Sequence, residues 1–326
     1  MKLSMCLETY DNVKWRHAKQ MGMDHAVIMG PVNEKLPIWD FQTLAQLANR
    51  YKDAGYTPTA LEGLVPMDNI RLATEARDAE LANLIKVIRN MGALGIPVFC
   101  YSWMAIVNWY RSSTTTRLRG GALTTSYDHA QMSKAPGTDK LAVTEEKLWE
   151  TFSYFLEKVL PVAEEAGVKL ALHPDDPPLS PVMGVSRIFG TVEAFDRAMA
   201  MAPSPNNGIT FCQANFGLMA GPQKIPELIH HYRDRIHFVH FRDVRGTADN
   251  FYETFHDDGH TDMFASMLAY REIGFDGPIR PDHAPAMEGD PNTNPGYEAL
   301  GRLFAIGYMK GLIEGADALL AARARQ

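Results

Sequence analysis

Ile279-Arg280-Pro281-Asp282-His283, framed by Gly277-Pro278 before it and Ala284-Pro285 after it, decides how the chain is read. An apolar run that opens behind Gly-Pro and closes on Asp-His reads as a buried strand delivering a carboxylate and an imidazole at its C-terminal end. Three earlier runs end in a similar way. Lys169-Leu-Ala-Leu-His173 leads into Pro174-Asp175-Asp176-Pro177, Gly208-Ile-Thr-Phe-Cys212 into Gln213, and Ile236-His-Phe-Val-His240 into Phe241-Arg242-Asp243. Metal-binding side chains at four successive strand ends imply a fold that gathers strand ends together.

Outward from these runs, short apolar strands alternate with longer amphipathic helices. Strands are expected near 3–7, 24–29, 57–61 and 97–101, the third with Glu62 at its exit; helices are expected near 11–21, 41–54 and 77–94. The rhythm breaks over 102–143, which is too long and too rich in Ser, Thr, Gly and Arg for an ordinary βα loop. That segment carries Trp103, Trp109, Tyr110, Arg111, Arg117 and Arg119, and reads as a lid or an interface arm. Thr144-Glu145-Glu146 then opens a helix that runs to Ala166-Gly167. The four quoted strands follow, with helices near 192–201, 222–232, 262–273 and 297–314, and 316–326 as a helix extension or a disordered end. Eight strand–helix units without a composition break predict one α/β domain over 1–326, a single (β/α)8 TIM barrel with a long insertion after strand four. The rival is a doubly wound open sheet, but no Gly-x-Gly-x-x-Gly follows the first strand.

Composition narrows the partners. A 326-residue chain with 46% hydrophobic residues can bury one large core, and its net charge of −7 argues against a nucleic-acid or anionic-membrane surface. A small molecule is the expected partner. The three cysteines, Cys6, Cys100 and Cys212, lie singly in apolar runs, which suits a reducing cytoplasm. The N-terminus is too short in apolar character for a signal peptide, and no segment approaches a membrane span.

If the barrel forms, His173, Cys212, His240 and Asp282 ring one side of its mouth. Two imidazoles, a thiolate and a carboxylate suit a borderline divalent ion such as Zn, Fe or Mn. Blander readings exist for each: Cys212 as a small core residue, as Cys6 and Cys100 are taken to be; His240 as a hydrogen-bonded core histidine; Asp282 as the partner of Arg280 or Arg242. Their conjunction is what favours a metal. His283 is the natural acid or base beside it, and Tyr297, in Asn294-Pro-Gly-Tyr297, either reaches the mouth or packs on the rim. Arg242, Arg245 and Arg280 offer guanidinium forks for a carboxylate, at least one of them being a structural ion-pair partner instead. Glu62 and Asp175 complete the substrate-binding candidates, Asp175 competing with a turn-forming role. His256, Asp257, Asp258 and His260 read as a solvated loop.

The motifs His173-Pro-Asp-Asp-Pro-Pro178, Phe238-Val-His-Phe-Arg242, Phe255-His256 leading to Gly259-x-x-Asp262-Met263, and Arg280-Pro-Asp-His283 followed by Asn294-Pro-Gly-Tyr297-x-x-x-Gly301-Arg302-Leu303 closely resemble the bacterial mannonate dehydratases. Pro161-Val-Ala-Glu-Glu-Ala-Gly-Val168 and Cys100-Tyr101 look like that family too. The resemblance implies a xylose-isomerase-like barrel, a Mn(II) or Fe(II) ion, and loss of water from D-mannonate to give 2-keto-3-deoxy-D-gluconate. Carried over, the family's ligands fall on His173, Cys212, His240 and Asp282 and its catalytic pair on His283 and Tyr297. Two segments depart from the pattern: 27–32 lacks the paired histidines expected there, and the region after strand four is shorter and different. Both are expected to touch the substrate or form the lid.

The chemistry expected is a metal-assisted dehydration of a sugar acid. A phenol with an ordinary pKa near 10 is a poor base, so the simpler assignment makes His283 the base and Tyr297 the acid. The alternatives are a metal-dependent sugar isomerase or epimerase on the same barrel, a dehydratase for a related aldonic acid, and a sugar-acid sensor without turnover. A homo-oligomer, dimer or higher, is the expected assembly.

Overall fold

The structure, a computed structural model, describes residues 1–30, 36–136 and 143–325. The chain begins β1 (Lys2–Leu7), α1 (Val13–Gln20), β2 (His25–Ile28), α2 (Phe41–Asp53), β3 (Thr57–Glu62), α3 (Asp68–Leu72), α4 (Arg77–Leu94) and β4 (Val98–Ser102). There follow β5 (Ser113–Arg117), β6 (Leu123–Asp128), α5 (His129–Met132), α6 (Glu145–Ala166), β7 (Lys169–His173), α7 (Val192–Met201), β8 (Asn207–Cys212) and α8 (Gln213–Ala220). The last stretch is α9 (Ile225–His231), β9 (Ile236–Phe241), β10 (Val244–Thr247), β11 (Asn250–Glu253), α10 (Met263–Glu272), β12 (Pro278–Pro281) and α11 (Ala299–Arg323).

Among the described residues, β1, β2, β3, β4, β7, β8, β9 and β12 pair in parallel and close into one barrel, with β12 lying between β9 and β1. Strands flanked by neighbours on both edges and by helices outside must be apolar on both faces. β9 is accordingly buried at all six positions. Cys6, Val27, Ala60, Val98, Cys100, Ala171 and Phe238 pack together across the strands as one cluster, so the barrel interior is filled and the two cysteines serve there as small apolar groups. Helix starts follow the side-chain chemistry. Thr144 accepts from the Lys147 amide ahead of α6, and Asp262 from the Ala265 amide ahead of α10.

The segment after β4 departs from a simple loop. Its hairpin β5–β6 joins a second hairpin, β10–β11, through β6 and β11, giving a four-stranded antiparallel sheet on the C-terminal side of the barrel. Tyr127, Ala214, Val244 and Phe251 bury one face of this sheet against α8. Of the lid and interface-arm expectations, the fold bears on the first: the hairpin folds back over its own chain. The remainder of that segment, 137–142, lies outside the described residues, as do 31–32 of the earlier departing segment and Gln326. Residues 316–323 extend α11, and α8 and α3 are helices the sequence reading does not anticipate. No helix among the described residues is long and apolar enough to cross a membrane.

Candidate active site

The pleat sets the first side chains. In the β8–β9 ladder Cys212 is opposite His240, and in the β9–β12 ladder His240 is opposite Arg280, so these side chains leave the sheet on one face, joined two residues on by Asp282. His173 ends β7, one strand further round. One ligand atom from each of His173, Cys212 and His240 lies within 4.8 Å of the others. His240 is 1% exposed, and neither ring nitrogen has a well-formed hydrogen bond: Nε2 stands 3.4 Å from Glu62 Oε1 and Nδ1 3.6 Å from Asp282 Oδ2. An imidazole stripped of water and so loosely partnered is costly. A cation accepting the lone pair of one ring nitrogen removes that cost, so the residues present fit a metal ion. His173 is oriented the same way, because its Nδ1 donates to the Pro174 carbonyl at 2.7 Å and leaves Nε2 as the lone-pair nitrogen. Burial lowers its pKa and favours the neutral form that binds a metal.

Asp282 stands beside this set, its Oδ2 3.6 Å from His240 Nδ1, and it is also paired with two arginines: Arg280 Nη1 at 2.7 Å and Arg242 Nε at 2.9 Å. Burial works against its charge, but Arg280, His283, His240 and Arg242 outweigh burial and hold the carboxyl well below the usual range. The structure thus gives Asp282 its ion-pair role; its Oδ2 lies beside His240, but Asp282 is not in the group His173, Cys212 and His240 whose ligand atoms lie within 4.8 Å of one another. Behind it Arg242, wholly buried, forks onto Glu253 and Asp176 and reaches Asn215, whose Oδ1 also accepts from the Cys212 thiol at 3.2 Å.

The acid–base pair is assembled from a strand end and a loop. Tyr297 Oη lies 3.1 Å from His283 Nε2 and 3.1 Å from Asp282 Oδ1. Burial, then the Asp282 charge, pushes the phenol well above its ordinary pKa, so Tyr297 stays protonated. Gly296, with φ +84°, turns the chain so that the Ala284 amide bonds its carbonyl at 3.0 Å; a Cβ there would sit 3.3 Å from the His283 ring. On the other side Trp109 packs against His283 at 5.0 Å between ring centroids. Rim packing and reach into the mouth, alternatives for Tyr297 in the sequence, both occur.

These groups surround a cavity of about 680 Å³, whose lining includes Glu62, His173, His240, Arg280, Asp282, His283 and Tyr297, while Cys212 is fully buried outside that lining. Three candidates for substrate binding, Arg242, Arg245 and Asp175, are not part of it. Arg245 sits on β10, in the side sheet rather than the barrel, and is spent on Asp258 (Nε to O 2.7 Å, Nη2 to Oδ1 3.0 Å). Asp175 is buried behind the wall, where its Oδ2 accepts from the Phe189 amide at 2.6 Å and burial raises its pKa. Its neighbour Asp176 lines the cavity instead. Arg242 is structural, and Arg280, though it lines the cavity, has Glu62 and Asp282 as partners. Sequence reasoning missed Arg71. It lines the cavity with a buried Nε that has no partner, while Nη1 holds Asp68 and Nη2 the Ser102 carbonyl.

Also missed were Glu253 and Arg111. Glu253 Oε1 lies 3.0 Å from His283 Nδ1, and Arg111 bonds both Glu253 and Asp176. Burial opposes the Glu253 charge, but Arg242, His283 and Arg111 bring its carboxyl down to about 2. The loop after β11 is solvated at Asp257 and His260, as expected, and half-buried at Asp258; His256 is the exception. His256 is buried, with Nε2 2.8 Å from the Phe241 carbonyl, and burial lowers it to about 4; Asp257 pairs with Arg119 and Asp258 with Arg245.

Comparison with known proteins places the chain in a family. The model of the D-mannonate dehydratase (UxuA) family matches residues 1–142 and 138–323. The mannonate dehydratase of Thermotoga maritima is 35% identical over 351 residues, covering 95% of this chain and 96% of its own. The crystal structure of the mannonate dehydratase of Streptococcus suis serotype 2 superposes with a TM-score of 0.91 at 30% identity, covering 98% of this chain and 95% of the other. A xylose isomerase domain protein from Planctomyces limnophilus, at 14% identity and a TM-score of 0.63, shares the fold, covering 97% of this chain and 99% of its own. The chain belongs to the D-mannonate dehydratase family.

Proposed function

We propose that this chain eliminates water from D-mannonate to give 2-keto-3-deoxy-D-gluconate, with a divalent ion, Mn2+ or Fe2+, held by His173, Cys212, His240 and Asp282. The observation that carries the reading is the Tyr297–His283 pair, 3.1 Å apart, set beside two histidines and a thiol whose ligand atoms converge. When bound, such an ion supplies positive charge that stabilises the anion developing next to the substrate carboxylate. The mixed nitrogen and sulfur donors favour Fe2+, Mn2+ or Zn2+ over Mg2+ or Ca2+.

The protein's own groups carry the proton traffic. His283 takes the C2 proton at Nε2, and the electron pair of that C–H bond forms the C2–C3 double bond as the C3–O bond breaks. Tyr297, kept protonated by burial and by Asp282, donates its proton to the departing hydroxyl, which leaves as water. The resulting enol becomes the ketone when C3 takes a proton. Trp109 and Tyr297 flank His283 and limit water access to it. Arg71, which lines the cavity, has one carboxylate partner, Asp68, and an Nε–H without a partner, and is the cation we assign to the substrate; Arg242 and Arg280 are each held by two or more carboxylates of the protein.

Incubation of Mn2+- or Fe2+-loaded protein with a panel of aldonic acids tests this. A 2-keto-3-deoxy product from D-mannonate, identified by NMR, supports the proposal. Epimer or isomer formation without loss of water, or binding without product, overturns it.

A further inference from the structure

We propose that Glu253 is a positioning residue that makes His283 a base, and that Arg111, from the segment inserted after β4, anchors Glu253 for this purpose. Glu253 Oε1 meets three nitrogens: His283 Nδ1 at 3.0 Å, Arg111 Nη2 at 2.6 Å and Arg242 Nη1 at 2.6 Å. Guanidinium groups only donate, and an ionised carboxylate only accepts. The proton between Glu253 and His283 therefore sits on Nδ1. In the neutral imidazole that leaves the lone pair on Nε2, 3.1 Å from Tyr297, whose hydroxyl then turns its proton from Asp282 Oδ1 to that nitrogen. The opposite tautomer would aim an N–H at Tyr297 and Asp282 and convert His283 into a donor, with nothing on Nε2 to take a proton from carbon.

Ring orientation depends on the same contact. Trp109 and Gly296 confine the imidazole from two sides, but packing alone does not choose between its two tautomers. Glu253 Oε1, at 3.0 Å, is the nearer carboxylate and faces Nδ1, whereas Asp282 Oδ1 stands 3.7 Å from Nε2, so the shorter contact favours the proton on Nδ1. Arg111 ties the choice to the insertion: it forks onto Asp176 and Glu253, and its guanidinium packs over the rings of Trp109 (4.8 Å) and Phe251 (4.9 Å). Glu253 and Phe251 lie on β11, which pairs with the inserted strand β6. The side sheet is thus the scaffold on which Glu253 is aimed, and its β5–β6 half comes from the segment after β4 where the sequence departs from the family pattern.

The consequence for turnover rests on the dehydratase reading above; the tautomer does not. Nitrogen-15 NMR of histidine-labelled, zinc-loaded protein, with His283→Asn to assign the signals, is expected to show His283 protonated at Nδ1 and bare at Nε2. A proton on Nε2 in the unmodified protein, in the neutral ring or the imidazolium, overturns the proposal, and because no substrate is present this failure is separable from a failure to dehydrate mannonate. Glu253→Gln is expected to lower kcat by roughly 30- to 100-fold, and Arg111→Gln by roughly tenfold, with KM and bound metal within about threefold. In a His283→Asn background, Glu253→Gln should change the residual rate by less than about twofold, because its route of action is gone. An equal loss in both backgrounds marks Glu253 as merely structural and overturns the proposal.

Discussion

Cys212 and His240 stand opposite each other on β8 and β9, so one backbone register places the thiol and the imidazole at the same level of the barrel. A slip of one residue in either strand would send one of them to the opposite face. The placement of the pair is therefore a property of the ladder, and the register survives substitution of either side chain.

It follows that Cys212→Ala and Asp282→Ala leave the barrel folded and cost metal affinity, by roughly 100-fold or more for Cys212. Elemental analysis after gel filtration, with circular dichroism on the same samples, checks this. One metal ion per chain in both variants would remove these residues from the site.

Tyr297→Phe deletes only the hydroxyl that touches His283 and Asp282. Metal content should be unchanged and KM little altered, while kcat falls by about 100- to 10,000-fold. A kcat close to that of the unmodified enzyme would reduce Tyr297 to packing.

Arg71→Met removes a buried guanidinium that the protein does not fully use. KM for mannonate should rise roughly tenfold or more, the loss of a charged hydrogen bond to substrate, with a smaller effect on kcat. Steady-state kinetics decides, and an unaltered KM would assign Arg71 to holding Asp68 and Ser102.

Gly296→Ala meets two obstacles at once, a φ of +84° and a contact of 3.3 Å with the His283 ring. The backbone term alone costs about 1–2 kcal/mol. Urea denaturation should show that loss, and kcat should fall with it because the imidazole is displaced.

Acid should weaken the fold in two stages. His237 and His256 are buried and brought down to about 4 by burial, against about 6.5 in an unfolded chain. Between those values the unfolded state binds the extra protons, so stability declines as pH drops from about 6.5 to about 4, by on the order of 3 kcal/mol per histidine at most. Glu62 and Glu253, both brought to about 2 against about 4.3 unfolded, contribute stability that is lost as pH falls further. Urea midpoints of chelator-treated protein between pH 7.5 and 4.5 test the first stage. His256→Gln should flatten that slope, and an unchanged slope would mean that His256 is protonated in the folded state.

The barrel was legible because eight apolar runs alternate with amphipathic helices, a pattern that parallel strands buried on both faces require. The residues at the strand exits were legible for a related reason: a polar or thiol side chain that terminates such a run has no packing role there. The companions of those residues were not legible. Arg111 and Glu253 are 142 positions apart, and no local period announces an ion pair of that span. Arg245 was misplaced because an arginine after a strand looks the same whether the next hairpin stays at the mouth or turns aside, as β10 does. Helix α8 escaped notice because Gln213-Ala-Asn-Phe216 is buried on every side and so lacks the polar stripe by which a surface helix is recognised.

The closure of β12 between β9 and β1 also has a consequence for synthesis. Asp282, His283 and Tyr297 all follow that last strand, so a chain still emerging from the ribosome can array His173, Cys212 and His240 before it owns any acid–base pair. Closure of the ring, the fourth proposed donor and reactivity therefore all wait for the final stave, and a prematurely terminated product would lack them together.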